Sequence, residues 1–533
     1  MVSAVTFTPL LGALVLLFLK SEHEKGARWI AFGTSLLTFA LSIGLLCGFD
    51  STVGTFQQVE RVPWIPDFGI DYHVGIDGIS LFLVLLTTFL MPLIFLSAWG
   101  DVHKRVKEYM FLFLVLETGM IGAFVAIDLF LFYVFWEVML IPMYFLIGVW
   151  GGSRRIYAAI KFLLYTMVGS LLMLVAILYL AYLHNTQEGA VSFNLLQLYN
   201  LNIPPHAQMW MFAAFVLSFA IKVPLFPFHT WLPDAHVEAP TGGSVILAGV
   251  LLKMGTYGLI RFAIPLFPQA AYIAAPILIL LAVIGIFYGA LVAMVQPDLK
   301  KLVAYSSVSH MGFVVLGLFA FNLQGGQGAI FQMLNHGIST SALFLLVGVV
   351  YERRHTRLIS EYGGLWKQTP VYAAIFLVTM FSSIGLPGLN GFIGEFLILL
   401  GSFKAIVTEG VATSSPLWSK VIMLLAISGV VLGAVYMLWM YQRVMFGPLE
   451  NEENKKLTDL SPREVFVFAP LLALMVFMGL YPRPFLVRME KSVEAAFARM
   501  STVQKVAVRP VDKQEATEMK TVALPSPAWE LHR

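Results

Sequence analysis

The chain has 533 residues, of which 59% are hydrophobic and 12% are charged, and its formal net charge is +3. Soluble domains carry about 25% charged residues, so this chain has too few polar side chains to cover a surface that faces water. The composition excludes a soluble globular protein and predicts one whose solvent is lipid, and we expect no nucleic-acid partner. The single cysteine, Cys47, excludes a disulfide framework or an all-cysteine cluster site within the chain.

Residues 1–108 are predicted to form an N-terminal segment of three membrane helices. The first apolar run has no basic residue before Lys20 and no small-residue cleavage pattern, so we expect a retained membrane helix rather than a signal peptide. Residues 49–78 are rich in Pro, Gly and Asp, and they predict a loop outside the membrane with the character of a hairpin.

Two longer blocks, residues 109–264 and 270–446, each contain five apolar runs near the roughly 20 residues that a helix needs to cross a bilayer. The fourth run of each block is interrupted by proline, at Pro224 and Pro227 in the first and at Pro387 in the second. Each proline removes a backbone donor and strands the carbonyl four residues earlier. The matching lengths and breaks favour two repeats, although direct sequence similarity between the blocks is weak.

The end of the chain is more polar. Residues 447–486 predict a solvated linker and a last helix, and residues 487–533 predict a polar C-terminal tail with charges of both signs and no membrane span. The whole chain is thus predicted to be an all-α polytopic membrane protein with about fourteen transmembrane helices.

The orientation follows from the basic residues in the loops. Loops after odd-numbered spans hold 18 lysines and arginines, whereas the other loops hold 4. Short loops rich in Lys and Arg remain in the cytoplasm, so both termini are predicted to be periplasmic.

Several ionisable side chains lie in the middle of the apolar runs, where a charge costs about 2.5–3.5 kcal/mol on insertion scales. We therefore expect these side chains to face protein or water inside the bundle rather than lipid. The residues that we select as a candidate site are Glu137, Lys222, Lys253, His310, His336 and Glu395.

Lys222 directly precedes the break at Pro224. A buried lysine either loses its proton through desolvation or finds a carboxylate, and Glu137 is a candidate partner on another helix. The alternative for Glu137 is a carboxyl group that stays protonated or makes a local contact between helices. Non-helical backbone survives at membrane depth only where it is buried in protein or lines a water-filled cavity. The break is therefore expected to place freed carbonyls and water beside Lys222.

Two histidines lie on polar helix faces, His310 with Ser306, and His336 with Ser339 and Thr340. A single histidine on an apolar face is usually a satisfied core residue. Two of them with hydroxyl groups at helical spacing favour a hydrated path for protons. Zinc binding is disfavoured, because the chain has one cysteine and no close spacing of His and Glu ligands. We expect no metal site.

Five stretches resemble the antiporter-like membrane subunits of respiratory complex I, over about residues 70–485: FWEVMLIPMYFLIGVWGG, FHTWLPDAHVEAPTGGSVILAGVLLKMGTYGLIRF, AYSSVSHMGF, LNHGIST and GLPGLNGFIGEFLIL. The resemblance implies two inverted five-helix repeats, each with a broken helix, and a hydrophilic axis at the middle of the membrane. By position, Glu137 resembles the family's carboxylate on the fifth helix and Lys222 its partner lysine. Lys253 resembles the central lysine. The remaining matches are the two connecting histidines, His310 and His336, and the terminal carboxylate, Glu395.

The resemblance also implies a function. It implies a proton-translocating subunit of NADH–quinone oxidoreductase in a bacterial inner membrane, driven by redox chemistry in other subunits. FMN, iron–sulfur clusters and quinone are then expected in partner subunits, with no cofactor in this chain. The expected partners are the neighbouring antiporter-like chains L and N, the lateral helix of chain L and the lipid bilayer. The absence of a Rossmann fingerprint, a Walker loop and a CxxC motif from the sequence agrees with this expectation.

Two alternatives stay open. The same fold is used by subunits of stand-alone multisubunit sodium/proton antiporters, which resemble these subunits closely. A redox enzyme in which this chain holds quinone is the other alternative, because 14% of the residues are aromatic. Aromatic stripes in a membrane protein are, however, usually lipid-facing or part of the core.

Overall fold

Apolar helices make up most of residues 1–508, the part of the chain that this computed structural model describes. Among these residues, twelve helices are long and apolar enough to cross a membrane, and two shorter apolar helices accompany them. The predicted fold class, an all-α polytopic membrane protein, is confirmed. The count of fourteen spans stays a prediction, since the helices interrupted by proline are divided into shorter pieces.

We number the helices in chain order and leave helices of four residues or fewer unnumbered. The first nine are α1 (Val2–Phe18), α2 (Glu24–Cys47), α3 (Ser80–Ser97), α4 (Val106–Val125), α5 (Leu129–Trp150), α6 (Arg155–Glu188), α7 (Pro205–Lys222), α8 (Trp231–Glu238) and α9 (Thr241–Leu266). Up to residue 508 there follow α10 (Pro268–Met294), α11 (Leu299–Leu318), α12 (Leu323–Arg354), α13 (Pro370–Ser383), α14 (Asn390–Thr408), α15 (Pro416–Met445), α16 (Pro462–Leu480) and α17 (Arg483–Val508).

The N-terminal segment consists of α1, α2 and α3, which pack on α4. The loop between α2 and α3 forms the predicted hairpin, in which β1 (Gln57–Ile65) pairs antiparallel with β2 (Ile70–Ile76). Gly69 makes the turn, because its φ of 65° lies in the left-handed region that glycine adopts without strain. The hairpin is joined to the bundle where the backbone N–H of Ile127 donates to the His73 carbonyl, at 2.8 Å.

The second helix of each predicted repeat begins with the same local structure. The carboxylate of Asp128 accepts backbone hydrogen bonds at the start of α5, and that of Asp298 does so at the start of α11, as helix-capping residues do. Each aspartate also forms an antiparallel bridge to the segment after the next helix, at Asn194 and at Leu358. Five crossings of the membrane separate the two aspartates when a broken helix counts as one. The motif therefore recurs on opposite sides, as inverted repeats require.

The two breaks share a pattern of backbone hydrogen bonds as well. Between α7 and α8, the N–H of Leu225 reaches back to the Ala220 carbonyl at 2.8 Å, and the N–H of Phe228 donates to the Leu225 carbonyl at 2.7 Å. The first of these bonds satisfies a carbonyl that Pro224 would otherwise strand.

The break between α13 and α14 repeats this pattern at a constant offset along the chain. The N–H of Leu386 donates to the Phe381 carbonyl and the N–H of Leu389 donates to the Leu386 carbonyl, both at 3.1 Å. The difference in residue number between corresponding residues of the two breaks is constant. The same difference relates Asp234 of α8, after the first break, to Glu395 of α14, after the second. The two breaks thus share one local backbone pattern.

Helices α9, α11 and α12 form the centre of the bundle. Protein buries 100% of the most apolar window of α9, 94% of that of α12 and 89% of that of α11, against 28% for α2 and for α16. A helix surrounded by protein has no side that faces hydrocarbon, so it can carry ionisable groups at membrane depth.

The predicted boundary at residue 487, between a last helix and a polar tail, falls inside helix α17. Helix α17 runs across it, burying Val493 and Phe497 against the bundle while Lys491 and Glu494 form an ion pair at the surface. A polar composition misses such a helix, because a helix that lies on a bundle needs only one apolar stripe. The rest of the predicted tail, residues 509–533, lies outside the described residues.

Candidate functional site

Lys222 is the last residue of α7. Its side chain is 1% exposed, and its ammonium group has no hydrogen-bond partner among residues 1–508. Two aromatic rings face this group. Nζ lies 5.1 Å from the ring centre of Trp136 on α5 and 5.7 Å from that of Phe162 on α6.

The carbonyls near Lys222 are bonded within the protein. The Ala220 carbonyl accepts the N–H of Leu225, and the Ile221 carbonyl accepts the indole N–H of Trp231 at 2.8 Å. The expectation that the break leaves free carbonyls beside Lys222 is therefore wrong at these two positions. The reason is that the chain folds back after the break and brings its own donors to them.

Glu137 follows Trp136 on α5. The regular helix is interrupted for one residue at Met139, and Pro142 has no N–H for the Val138 carbonyl. The Glu137 side chain is half-buried, and it follows in the chain the tryptophan whose ring the Lys222 ammonium faces. One of its carboxylate oxygens is buried and, like the Lys222 ammonium, has no hydrogen-bond partner in the described part of the chain. The two residues are thus neighbours that do not form an ion pair in this structure.

Lys253 lies in the middle of α9, between two π-helical segments, Leu247–Leu251 and Leu259–Ala263. Short π-helical stretches inside α-helices are frequent at functional sites. The fully buried ammonium group donates to the carbonyl of Ala248, inside the first segment. Its other contact is with Nδ1 of His336 on α12, at 2.6 Å. Lys253 therefore has two polar partners within the protein.

The row of ionisable side chains continues from His336. Its ring and that of His310 on α11 have their centres 5.8 Å apart. Nδ1 of His310 lies 3.0 Å from a carboxylate oxygen of Glu395 on α14. The Nε2 atoms of both histidines are buried and have no hydrogen-bond partner within residues 1–508. The structure therefore brings four of the six predicted residues together, in the order Lys253, His336, His310, Glu395.

A small polar cavity of about 10 Å³ lies beside the two histidines. This is the lower limit of the roughly 10–15 Å³ that one water molecule needs. The cavity is lined by His310, Gln332, Asn335, His336, Ser339, Thr340, Ser382, Ser383 and Gly391. Because nearly all of these side chains are polar, the cavity can hold a water in contact with the row.

Sequence reasoning missed the amide and hydroxyl groups that support the row. Gln332 donates to Glu395 at 3.1 Å, and Asn335 donates to Gln332 at 3.0 Å. The hydroxyl of Ser382 contacts that of Ser339 at 2.6 Å. The signal was present in QMLNHGIS, where Gln332, Asn335, His336 and Ser339 follow the i, i+3, i+4, i+7 spacing of one helix face.

The two parts of the site meet where α7 and α9 pack closely. A Cβ atom on Gly255 would lie 2.7 Å from the Phe219 carbonyl oxygen and 2.8 Å from a methyl group of Val223, so glycine permits this approach. No hydrogen bond of the Lys222 ammonium bridges to Lys253 in the described part of the chain. The predicted residues therefore form two sets, a pair at the first break and a row of four.

The arrangement of the row suits proton transfer. Imidazole accepts and releases protons near neutral pH. The amine at one end of the row and the carboxylate at the other can each hold a proton. No cluster of three or more His, Cys, Asp or Glu residues that could hold a metal ion occurs within the residues that the structure describes. All four side chains are buried within the protein, which keeps them away from lipid.

Two family models match the sequence. The family described as NADH:quinone oxidoreductase/Mrp antiporter, TM, matches residues 126–415, and the family described as NADH-ubiquinone oxidoreductase chain 4, amino terminus, matches residues 10–123. The first match contains all six residues of the candidate site.

Curated relatives cover almost the whole chain. The NADH-quinone oxidoreductase subunit M of Rhodobacter capsulatus is 49% identical over 502 residues, which is 90% of this chain and 93% of the relative. The NADH-ubiquinone oxidoreductase chain 4 of Arabidopsis thaliana is 46% identical over 492 residues, which is 92% of this chain and 96% of the relative.

Solved structures agree with these relatives. A chain of respiratory complex I from Thermus thermophilus with bound NADH superposes with a TM-score of 0.83 and 34% identity, over 94% of this chain and 100% of that chain. A chain of the Mrp complex from Dietzia sp. DQ12-45-1b superposes with a TM-score of 0.80 over 94% of this chain and 99% of that chain, but its 20% identity shows the fold alone. The chain therefore belongs to the family of membrane subunits of NADH:quinone oxidoreductases and Mrp antiporters.

Proposed function

We propose that this chain is a proton-translocating membrane subunit of an NADH–quinone oxidoreductase, in which redox chemistry in other subunits drives protons along the buried row. The observation that carries the proposal is the contact of Lys253 with His336 and of His310 with Glu395 inside the bundle. Ionisable groups are expensive to keep at membrane depth and are retained there for function. The names of the relatives support the same complex.

The contacts suggest the order of transfer. A proton taken up from the cytoplasm is held at Lys253, passes to His336 and then to His310, and leaves from Glu395. Each imidazole accepts a proton at one nitrogen and releases one from the other. The polar cavity beside the rings has room for about one water molecule, which would shorten the step between the two rings.

Glu137 and Lys222 control the row in this proposal. When a neighbouring subunit draws Glu137 away, Lys222 loses its negative partner and its positive charge repels the proton held at Lys253. Half-burial of Glu137 supports this role, because another chain can reach it. The free energy needed to move a proton against the membrane potential is comparable to the free energy of a change in the proton affinity of a lysine. Moving one charge against 100 mV costs about 2.3 kcal/mol, and a hundredfold change in the proton affinity of one lysine corresponds to about 2.7 kcal/mol.

The proposal places electron transfer outside this chain. FMN, iron–sulfur clusters and quinone belong to partner subunits, and this chain contributes the translocase part of the activity without a cofactor of its own. Its neighbours are the antiporter-like chains L and N, with the lateral helix of chain L along its side. The complex lies in the bacterial inner membrane, with both termini of this chain in the periplasm.

A stand-alone multisubunit sodium/proton antiporter is the second candidate, favoured by the shared fold of the Mrp complex. The two functions differ in their dependence on sodium. Proton movement by an antiporter of this kind requires Na⁺, whereas redox-driven proton translocation continues when potassium replaces sodium.

The experiment is proton pumping by the purified complex in proteoliposomes, with NADH and quinone supplied. Lys253→Ala is expected to lower pumping by at least about tenfold, because positioned proton-transfer groups contribute about 10²–10⁴-fold. The control is Lys404→Ala, which removes a lysine that is 59% exposed at the end of α14. Normal pumping by Lys253→Ala in an assembled complex would reject the proposal, and a requirement for sodium would favour the antiporter.

A further inference from the structure

The environment of Lys222 is aromatic, and the proposed coupling does not explain why. A lysine that leaves a carboxylate inside a membrane protein normally gives up its proton, because desolvation penalises the charged form. The positive charge of Lys222 is what acts on Lys253 in the proposed function. Some group must therefore stabilise the ammonium while Glu137 is away.

Trp136 and Phe162 are placed to do this. The Lys222 Nζ lies 5.1 Å and 5.7 Å from the centres of their rings. The negative face of an aromatic ring attracts a cation within about 6 Å of its centre, most strongly for Trp and when water is excluded. Both rings are 1% exposed, as is the lysine, so water does not compete for the ammonium.

Glu137 and Trp136 offer Lys222 two alternative positions. They are consecutive on α5, and consecutive side chains on a helix point about 100° apart. In this structure the ammonium lies over the Trp136 ring, and neither it nor the buried oxygen of Glu137 has a hydrogen-bond partner among the described residues. A short movement of one flexible side chain exchanges a ring for a carboxylate.

The two rings are themselves held in place by other aromatic side chains. Trp136 contacts Phe132 and Phe219, each with ring centres 5.6 Å apart. Phe162 packs on Trp231, with ring centres 5.5 Å apart. Trp231 also donates its indole N–H to the carbonyl just before Lys222, so the Phe162 ring and the end of α7 are both in contact with Trp231.

We propose that Trp136 and Phe162 form a cation–π cage that keeps Lys222 charged when its ammonium is away from Glu137. They are positioning residues for the switch between the pair and the row. This inference rests on the proposed function, since it requires that Lys222 exchange partners during turnover. It assigns to the aromatic residues a role beyond packing.

The test replaces Trp136 in the intact complex, by site-specific incorporation, with tryptophans that carry one, two or three fluorines. Fluorine withdraws electrons from the ring and weakens its attraction for a cation while changing its size little. The logarithm of the pumping rate is expected to fall in proportion to the number of fluorines, reaching a loss of about tenfold at three. A tenfold change in an equilibrium corresponds to about 1.4 kcal/mol.

The control is the same series at Trp210, which is 78% exposed on the same helix as Lys222. The cage would be ruled out if the pumping rate did not depend on the number of fluorines at Trp136, or if it fell equally with fluorination at Trp210. If fluorinated tryptophan cannot be incorporated at position 136, a second pair of variants provides the test. Trp136→Phe keeps an aromatic face and is expected to retain more pumping than Trp136→Leu, and equal loss in both would also overturn it. The proposed function fails separately, through normal pumping by Lys253→Ala.

Discussion

The ammonium of Lys253 and the imidazole of His336 are in direct contact, with Nζ 2.6 Å from Nδ1, although 83 residues separate them in the sequence. The contact joins α9 and α12, the two most enclosed helices of the bundle. Because α9 also packs on α7 and α12 also packs on α14, this pair is the junction between the two repeats. In the proposed function, a proton passes between the repeats through this contact.

His336→Leu is expected to interrupt the row between Lys253 and His310 without unfolding the helix. The replacement has a similar size and no titratable nitrogen, so pumping should fall by at least about tenfold, as for loss of a positioned proton-transfer group. Proton uptake in proteoliposomes, normalised to NADH oxidised, is the measurement. His206→Leu, at an exposed position near the start of α7, is the matched control and should pump normally. Equal rates in the two variants would contradict the order of transfer.

Glu395→Gln is expected to keep the shape of the end of the row and lose its charge. The amide can still accept the hydrogen bonds of His310 and Gln332 but cannot hold a proton for release, so pumping should fall while the complex assembles. Gln332→Ala removes the donor to Glu395 and the acceptor of Asn335 but no titratable group, so it should have a smaller effect. Pumping by both variants is compared with that of Glu409→Gln, which alters a carboxylate that is 40% exposed just after the end of α14. A Gln332→Ala defect as large as that of Glu395→Gln would show that packing, not the carboxylate, matters.

Gly255→Ala is expected to push α7 and α9 apart. The added Cβ would lie 2.7 Å from the Phe219 carbonyl oxygen, and overpacking of this kind typically costs about 1–3 kcal/mol. Both stability and the coupling of Lys222 to Lys253 should suffer. The fraction of complex that stays intact after heating, read on a native gel, measures the first effect, and pumping measures the second.

Gly285→Ala on α10 is the control for this change, since no atom lies within 4 Å of the Cβ that it would add. Because the added Cβ would meet no neighbouring helix, the change should leave both readouts unchanged or raise stability slightly, since alanine is the better helix former. Loss of stability in Gly285→Ala equal to that in Gly255→Ala would mean that helix propensity, not close packing, is responsible.

Asp298→Ala is expected to loosen the start of α11, because the carboxylate accepts the backbone N–H groups of Lys300 and Lys301. Loss of such a cap costs about 0.5–2 kcal/mol. Asp298→Asn keeps an acceptor and should be closer to the wild type. The same comparison at Asp128, at the start of α5, should also lower stability through loss of the cap, whereas Asp298→Ala additionally loses the ion pair with Arg357, at 3.3 Å. The readout is the heating midpoint of the complex on a native gel.

Much of this protein could be predicted from patterns within single segments. Some properties depend only on residues that are close together in the sequence: mean hydropathy, the length of apolar runs and the cost of a charge at membrane depth. The fold class, the hairpin in residues 49–78 and the six candidate residues could therefore be predicted from the sequence. The two breaks are visible too, because a proline acts on its own helix. The polar face of α12 was equally visible at Gln332 and Asn335 and was overlooked.

Contacts between helices were decided only by the tertiary structure. Glu137 and Lys222 were expected to pair, but no ion pair joins them in the structure, and the Lys222 ammonium lies 5.1 Å from the ring centre of Trp136. Helix α17 was not predicted, because the polar residues on its exposed face give this segment a polar composition. The order of the row, with His336 next to Lys253, has no signature along the chain.

The sequence by itself determined which residue types lie at membrane depth, since the hydrophobic effect and helix geometry act over a few residues at a time. The tertiary structure decided which of those residues touch. Distances between side chains on different helices depend on how closely the backbones approach, and that depends on packing at positions such as Gly255 and on the folding back of the chain after each break.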